Sequence, residues 1–153
     1  MGALADELAA NREALLAVVS GMDASALSLP TRNAEWSVHD VLAHVLASDV
    51  SLMALLEGAT EGRIPDAPLD AYDEDRAAWR EAGLSTMVQQ LIERGERWRE
   101  LFAALPDHAL DGPAHAWWMD GSTTLGAILE DYRTHDGEHG EDVRLAMEEA
   151  GRD

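Results

Sequence analysis

Hydrophobic residues recur at helical spacing along most of the chain and mark out four long amphipathic segments. The first runs from about Leu4 to Val19, with Leu8, Leu15 and Leu16 between and alanines filling the gaps. Gly21 and the Ser-Leu-Pro run ending at Pro30 stop it, and it reads as scaffold. The second starts at Ser37, where Asp40 three residues on completes a capping-box pattern. Its apolar face carries Val38, Val41, Leu42, Val45, Leu46, Leu52, Met53 and Leu56 before it fades at Glu57-Gly58. Trp36, just ahead of the cap, suits a hydrophobic staple, and His39 points away toward solvent. Loop is expected over 59–69, where Gly62, Pro65 and Pro68 break the pattern, and then a short helix over 70–82 with Tyr72, Arg76 and Trp79 on one side. The third long helix spans about Thr86 to Ala104, and Gly95 on its apolar stripe implies a close helix contact. Asp107 to Gly121 reads as an irregular link. The fourth helix is expected to run unbroken from an N-cap at Ser122 to about Glu149, with Leu125, Ile128, Leu129, Tyr132, Val143, Ala146 and Met147 as its stripe. No strand pattern is visible. The prediction is an all-α four-helix bundle forming a single domain over residues 1–153.

Five polar residues intrude on these apolar faces. His44 lies at the margin of the second helix's face and Asp49 near its middle; His135, Asp136 and His139 fall inside the stripe of the fourth. A buried polar group without a partner costs roughly 1–3 kcal/mol, so the set calls for compensation. His135 and His139 are one turn apart and can chelate one ion. Three neutral imidazoles from two facing helices fill half an octahedron or three corners of a tetrahedron. The positions left open for water or substrate are the catalytic rather than the structural pattern. Asp49 and Asp136 are candidates to orient a ligating ring or relay a proton. Trp117 and Trp118 either roof a substrate pocket or cap the end of the bundle. The plainer alternative is that the histidines are ordinary surface or core residues satisfied by hydrogen bonds.

Composition narrows the chemistry. With 46% hydrophobic residues the chain suits a folded globular protein. No apolar run near the ~20 residues of a membrane span is apparent and no leader precedes the first helix, so no membrane partner is expected and the cytoplasm is the default location. Thirty acidic against 11 basic residues give a net charge of −19, which argues against nucleic acid as a partner. Zero cysteines exclude a thiolate nucleophile, and the absence of lysine removes Schiff-base chemistry. His-Asp-Gly-Glu-His at 135–139 also fits the inverted zinc-protease pattern. There, Glu138 would be the base, yet it lies about 100° around the helix from His139 and faces away. The Glu-x-x-His pairs of a di-iron site do not occur.

Trp-Ser-Val-His-Asp-Val-Leu-Ala-His at Trp36 to His44, followed far downstream by His-x-x-x-His at His135 to His139, resembles the DinB/YfiT superfamily of four-helix proposed metalloenzymes. The likeness runs from the first helix to His139. It implies a metal held by His44, His135 and His139, with zinc or nickel as the ion. It also implies a long crossover between helices two and three, which Gly58 to Ser85 would supply, and a homodimer. Activities in the family include bacillithiol S-transfer and mycothiol-dependent maleylpyruvate isomerisation, and another branch resembles a colibactin self-resistance protein. The isomerase's extra C-terminal domain is not expected here. The function implied is attack of a metal-activated low-molecular-weight thiol, or water, on a small electrophilic substrate, in detoxification or self-resistance. Lacking cysteine, the chain would take the thiol as a cosubstrate. The alternatives are a non-catalytic module that binds or sequesters a small molecule or metal, and a dimerising scaffold.

Overall fold

Ser37 and Asp40 form the expected capping box: Asp40 N donates to Ser37 Oγ at 3.2 Å, and Ser37 N donates to Asp40 Oδ2 at 2.9 Å. One side-chain pair thereby satisfies two orphan donors and fixes the start of helix α2 (Val38–Thr60). Residues 2–33 and 35–152 are described by the structure, a computed structural model. Four helices make the bundle: α1 (Gly2–Val19), α2, α4 (Leu84–Ala103) and α6 (His135–Ala150). Helix α1 packs along α6 and α4, and α2 packs on α4 and α6. The long crossover between α2 and α4 carries a short helix, α3 (Leu69–Ala78), which lies on α2. Arg94 of α4 anchors it, donating to Asp75 Oδ2 and to the Leu46 carbonyl, each at 2.8 or 2.7 Å.

The structure corrects three expectations. The fourth helix is two: α5 (Leu125–Tyr132), capped by Thr124 rather than Ser122, and α6, separated by Arg133 and Thr134. At the junction Arg133 N bonds to Glu130 O in a tightened turn, and Thr134 has φ −102° and ψ 4°, outside the helical well. Asp136 and Glu138 then occupy the first turn of α6, where carboxylates complement the helix dipole. Second, the irregular link contains strand β2 (Pro113–Ala116), which pairs in parallel with β1 (Asp66–Ala67) and antiparallel with β3 (Thr123–Thr124). This small sheet ties the crossover to the segment before α5 and delivers Trp117 and Trp118 to the bundle's side; Trp117 N donates to Ala67 O at 3.0 Å. Third, α2 is long and apolar enough to cross a membrane by length and composition, with mean hydropathy 1.5 over its best window. Within the bundle 72% of that window is buried, as the core helix of the fold.

The apolar interior is divided. One cluster holds Leu8, Leu52, Leu56, Trp98, Phe102 and Leu129; the other holds Leu15, Val41, Val45, Leu46, Leu91 and Val143. Between them lies a charged layer to which every bundle helix contributes. Arg12 of α1, 2% exposed, donates from Nη2 to Asp49 of α2 at 2.5 Å and from Nε to Asp136 of α6 at 2.6 Å. Its Nη1 donates to the Leu91 carbonyl of α4 at 2.7 Å. Gly95 faces this layer, but a Cβ there would be in ordinary contact, 3.5 Å from Arg12 Cγ, so the close helix approach expected at this position is not what the space requires. A tight approach does occur at Gly140, between α6 and α1, where an added Cβ would stand 3.2 Å from Leu15 Cα.

Candidate metal centre

Two helices bring the histidines together. Helix α2 supplies His44 two turns below its cap, and the start of α6 supplies His135 and His139 one turn apart. One ligating nitrogen from each ring lies within 4.8 Å of the other two, and Nε2 of His44 is 2.9 Å from Nε2 of His135. His135 and His139 are 18% and 19% exposed, and His44 is half-buried.

Two of the opposite ring nitrogens are hydrogen-bonded elsewhere, and the third, buried and without a hydrogen bond among the described residues, faces a carboxylate. His44 Nδ1 meets the Tyr72 hydroxyl at 2.5 Å, His135 Nδ1 faces Asp136 Oδ1 at 3.4 Å, and His139 Nδ1 lies 3.3 Å from Asp142 Oδ2. A carboxylate beside Nδ1, as at His135 and His139, favours the tautomer with its proton there and leaves the Nε2 lone pair bare. Bare lone pairs converging on one point repel one another unless a cation sits among them. Protonation is a poor remedy: burial, then the charges of His135 and His139, push the His44 pKa down to about 2. Burial and His135 lower that of His139 as well, against the opposing pull of Asp142. The donor set therefore fits a divalent ion of the borderline class that imidazole prefers.

A cleft of about 230 Å³ opens beside the cluster, lined by His44 and His135, by Ser48, Ser51 and Tyr132, and by Trp117, Trp118 and Asp131. The two tryptophans thus wall the cleft next to two of the three histidines. Trp117 Nε1 donates to Ser51 Oγ at 3.3 Å and Trp118 Nε1 to Asp131 Oδ2 at 3.1 Å, which fixes both indoles. Tyr132 stacks on the His135 ring at 4.5 Å, and its buried hydroxyl has no protein partner among the described residues.

Asp49 and Asp136 sit in the charged layer rather than in the cleft. Asp136 spans both features, binding Arg12 through Oδ2 and facing His135 through Oδ1. Burial alone would raise its pKa, but Arg12 and His135 outweigh that and hold it near 2. Asp49 goes the other way: burial, only partly offset by Arg12 and reinforced by the charge of Asp136, lifts it to about 6. Glu138 is exposed, as expected, and takes a hydrogen bond from Thr134.

Sequence reasoning did not find Arg12, Tyr72, Ser48, Ser51 or Tyr132 as parts of the site. Tyr72 did leave a trace, one turn from Arg76 on a short helix that is otherwise mostly polar. Trp36 does more than cap α2: its ring lies 4.9 Å from His44 and 6.3 Å from His139, closing one side of the cluster. His39 is half-buried rather than solvated, with Nε2 3.1 Å from the Ala82 carbonyl.

No curated protein matches the sequence. Solved structures do. The mycothiol-dependent maleylpyruvate isomerase superposes with a TM-score of 0.80 at 13% identity, over 93% of this chain and 60% of its own. This chain therefore spans about three-fifths of the isomerase's length. YfiT from Bacillus subtilis, described as a probable metal-dependent hydrolase with an unusual four-helix bundle topology, gives 0.79 at 21% identity over 98% of this chain and 87% of its own. An uncharacterised protein from Clostridium difficile 630 gives 0.73 at 12% identity, over 95% and 94% of the two chains. These likenesses share the bundle and its crossover. The family profile reaches further, matching the sequence itself over residues 7–143, from the first helix through both histidine-bearing segments. By that match the chain belongs to the DinB superfamily.

Proposed function

We propose that this protein is a metal-dependent enzyme in which His44, His135 and His139 hold a divalent ion, zinc or nickel, for attack of a small thiol or water on an electrophile in the adjoining cleft. The observation that carries the reading is the convergence of three imidazoles, two with outer nitrogens engaged by Tyr72 and Asp136 and the third with Nδ1 facing Asp142 at 3.3 Å. When bound, such an ion supplies Lewis acidity and lowers the pKa of a thiol or water toward neutrality.

The chain's own residues do the rest. Tyr72, Asp136 and Asp142 keep the rings in one orientation and one tautomer. Trp117 and Trp118 exclude water from two sides and offer flat apolar faces to a substrate. The Tyr132 hydroxyl, buried and unpartnered, can donate to an oxygen of the bound electrophile. With no cysteine in the chain, a thiol nucleophile must arrive as a cosubstrate, which suits a role in detoxification or self-resistance.

Metal analysis of tag-free protein tests this first: about one ion per chain is expected, and His139→Ala should lower metal content and turnover together, each by at least about tenfold. Turnover would be sought in a screen of small electrophiles, with and without several thiols. Activity that survives His139→Ala unchanged would overturn the site. Stoichiometric metal with no turnover across the screen would favour a binding or sequestration module instead.

A further inference from the structure

Of the 11 arginines in this acidic chain, all but Arg76 and Arg80 lie within 4.0 Å of a carboxylate oxygen. With 30 acidic residues available, two cations without an ion pair among the described residues stand out, and they share one place. Both line a cleft of about 350 Å³ between α3 and the start of α2, together with His39, Asp40 and Asp73. Asp40 is already committed, since its Oδ2 accepts from both Ser37 N and Ser37 Oγ. Asp73 is exposed and reaches neither arginine.

Arg76 is also held ready. It is half-buried, with its guanidinium carbon 4.6 Å from the centre of the Trp36 ring. Stacking occupies the face of a guanidinium and leaves its N–H edges, one of them toward the Tyr72 hydroxyl, in position to bind a carboxylate or phosphate through paired hydrogen bonds. Helix α3 is itself fixed by Asp75, which takes hydrogen bonds from Trp79 Nε1 and from Arg94. Arg80, in the turn that follows α3, lines the same cleft, so both charges can converge on one group.

We infer that this cleft is an anion-binding subsite, taking the carboxylate or phosphate group of a small molecule between Arg76 and Arg80. It lies across Trp36 from the histidines, because that ring touches Arg76 and is 4.9 Å from His44. Anion binding there needs no metal, so the subsite stands or falls separately from the metal chemistry proposed above.

The test is a titration of ¹⁵N-labelled protein at low salt, once with inorganic phosphate and once with succinate, on untreated and on chelator-treated samples. Saturable shifts of the Arg76 and Arg80 Nε–H signals are expected in both preparations, and the tighter anion identifies the class of group bound. Arg76→Gln with Arg80→Gln should weaken binding at least about tenfold, while Arg144→Gln, on α6 and already ion-paired with Glu141 and Glu148, should leave it unchanged. Shifts that are absent, non-saturable or spread evenly over all arginines would overturn the subsite, as would a double variant that binds as well as the parent. Should that variant fail to fold, the location of the shifts in the parent protein decides.

Discussion

At the scale of single residues, the charged layer is unusual in setting one guanidinium against two carboxylates. Arg12 cannot neutralise both, and the surplus falls on Asp49, whose pKa rises to about 6 while its Oδ2 has no partner among the described residues. A carboxyl group whose folded pKa exceeds its unfolded value near 3.8 adds stability at low pH. That stability is lost as pH climbs through the folded pKa. Asp49→Asn removes the titration yet keeps an acceptor for Arg12. The parent protein should therefore lose of the order of 1–3 kcal/mol relative to the variant between pH 4 and 7, and urea denaturation at the two pH values measures it. A constant difference would mean that Asp49 is ionised throughout. Asp49 and Asp136 were legible in the sequence as carboxylates on apolar faces. Arg12 was not. A long side chain between Leu8 and Leu15 on an alanine-rich helix has the same signature whether it reaches inward or lies along the surface with its charge in water.

At the scale of elements, the four bundle helices and their inward faces followed from a 3.6-residue period, and so did the positions of His44, at the margin of its face, and of His135 and His139 within theirs. The break before α6 was hidden by that same period. Tyr132, His135, Asp136 and His139 continue the i+3 and i+4 steps of α5 without a gap, so the stripe shows no interruption where the backbone does. Strands of two to four residues offer too few positions for alternation to register, which is why β2 looked like irregular chain. Gly140 lets α6 approach α1 so closely that a methyl group would press on backbone at Leu15. Gly140→Ala should destabilise the fold by about 1–3 kcal/mol despite alanine's better helix propensity. Thermal and chemical unfolding check this, and a stabilised variant would show that the two helices have slack.

For the molecule as a whole, the layer of Arg12, Asp49 and Asp136 is, among the described residues, the one place where α1, α2, α4 and α6 are all joined by hydrogen bonds at a single level. Arg12→Met should cost about 3–5 kcal/mol, because it strands two carboxylates in the interior. Arg12→Lys should recover little of this, since one ammonium cannot reproduce three donors fixed in a plane. Equilibrium unfolding of both variants at neutral pH separates the outcomes, and a methionine variant as stable as the parent would show that the carboxylates find water. Apart from that layer, the interior is built mostly from leucine, valine and alanine, side chains that pack almost as well in one vertical alignment as in the next. Sliding any helix past its neighbours by one turn, about 5.4 Å, would pull the guanidinium or a carboxylate away from its partners. The charges thus act as a key that admits a single alignment, and the same alignment sets His44 level with His135 and His139.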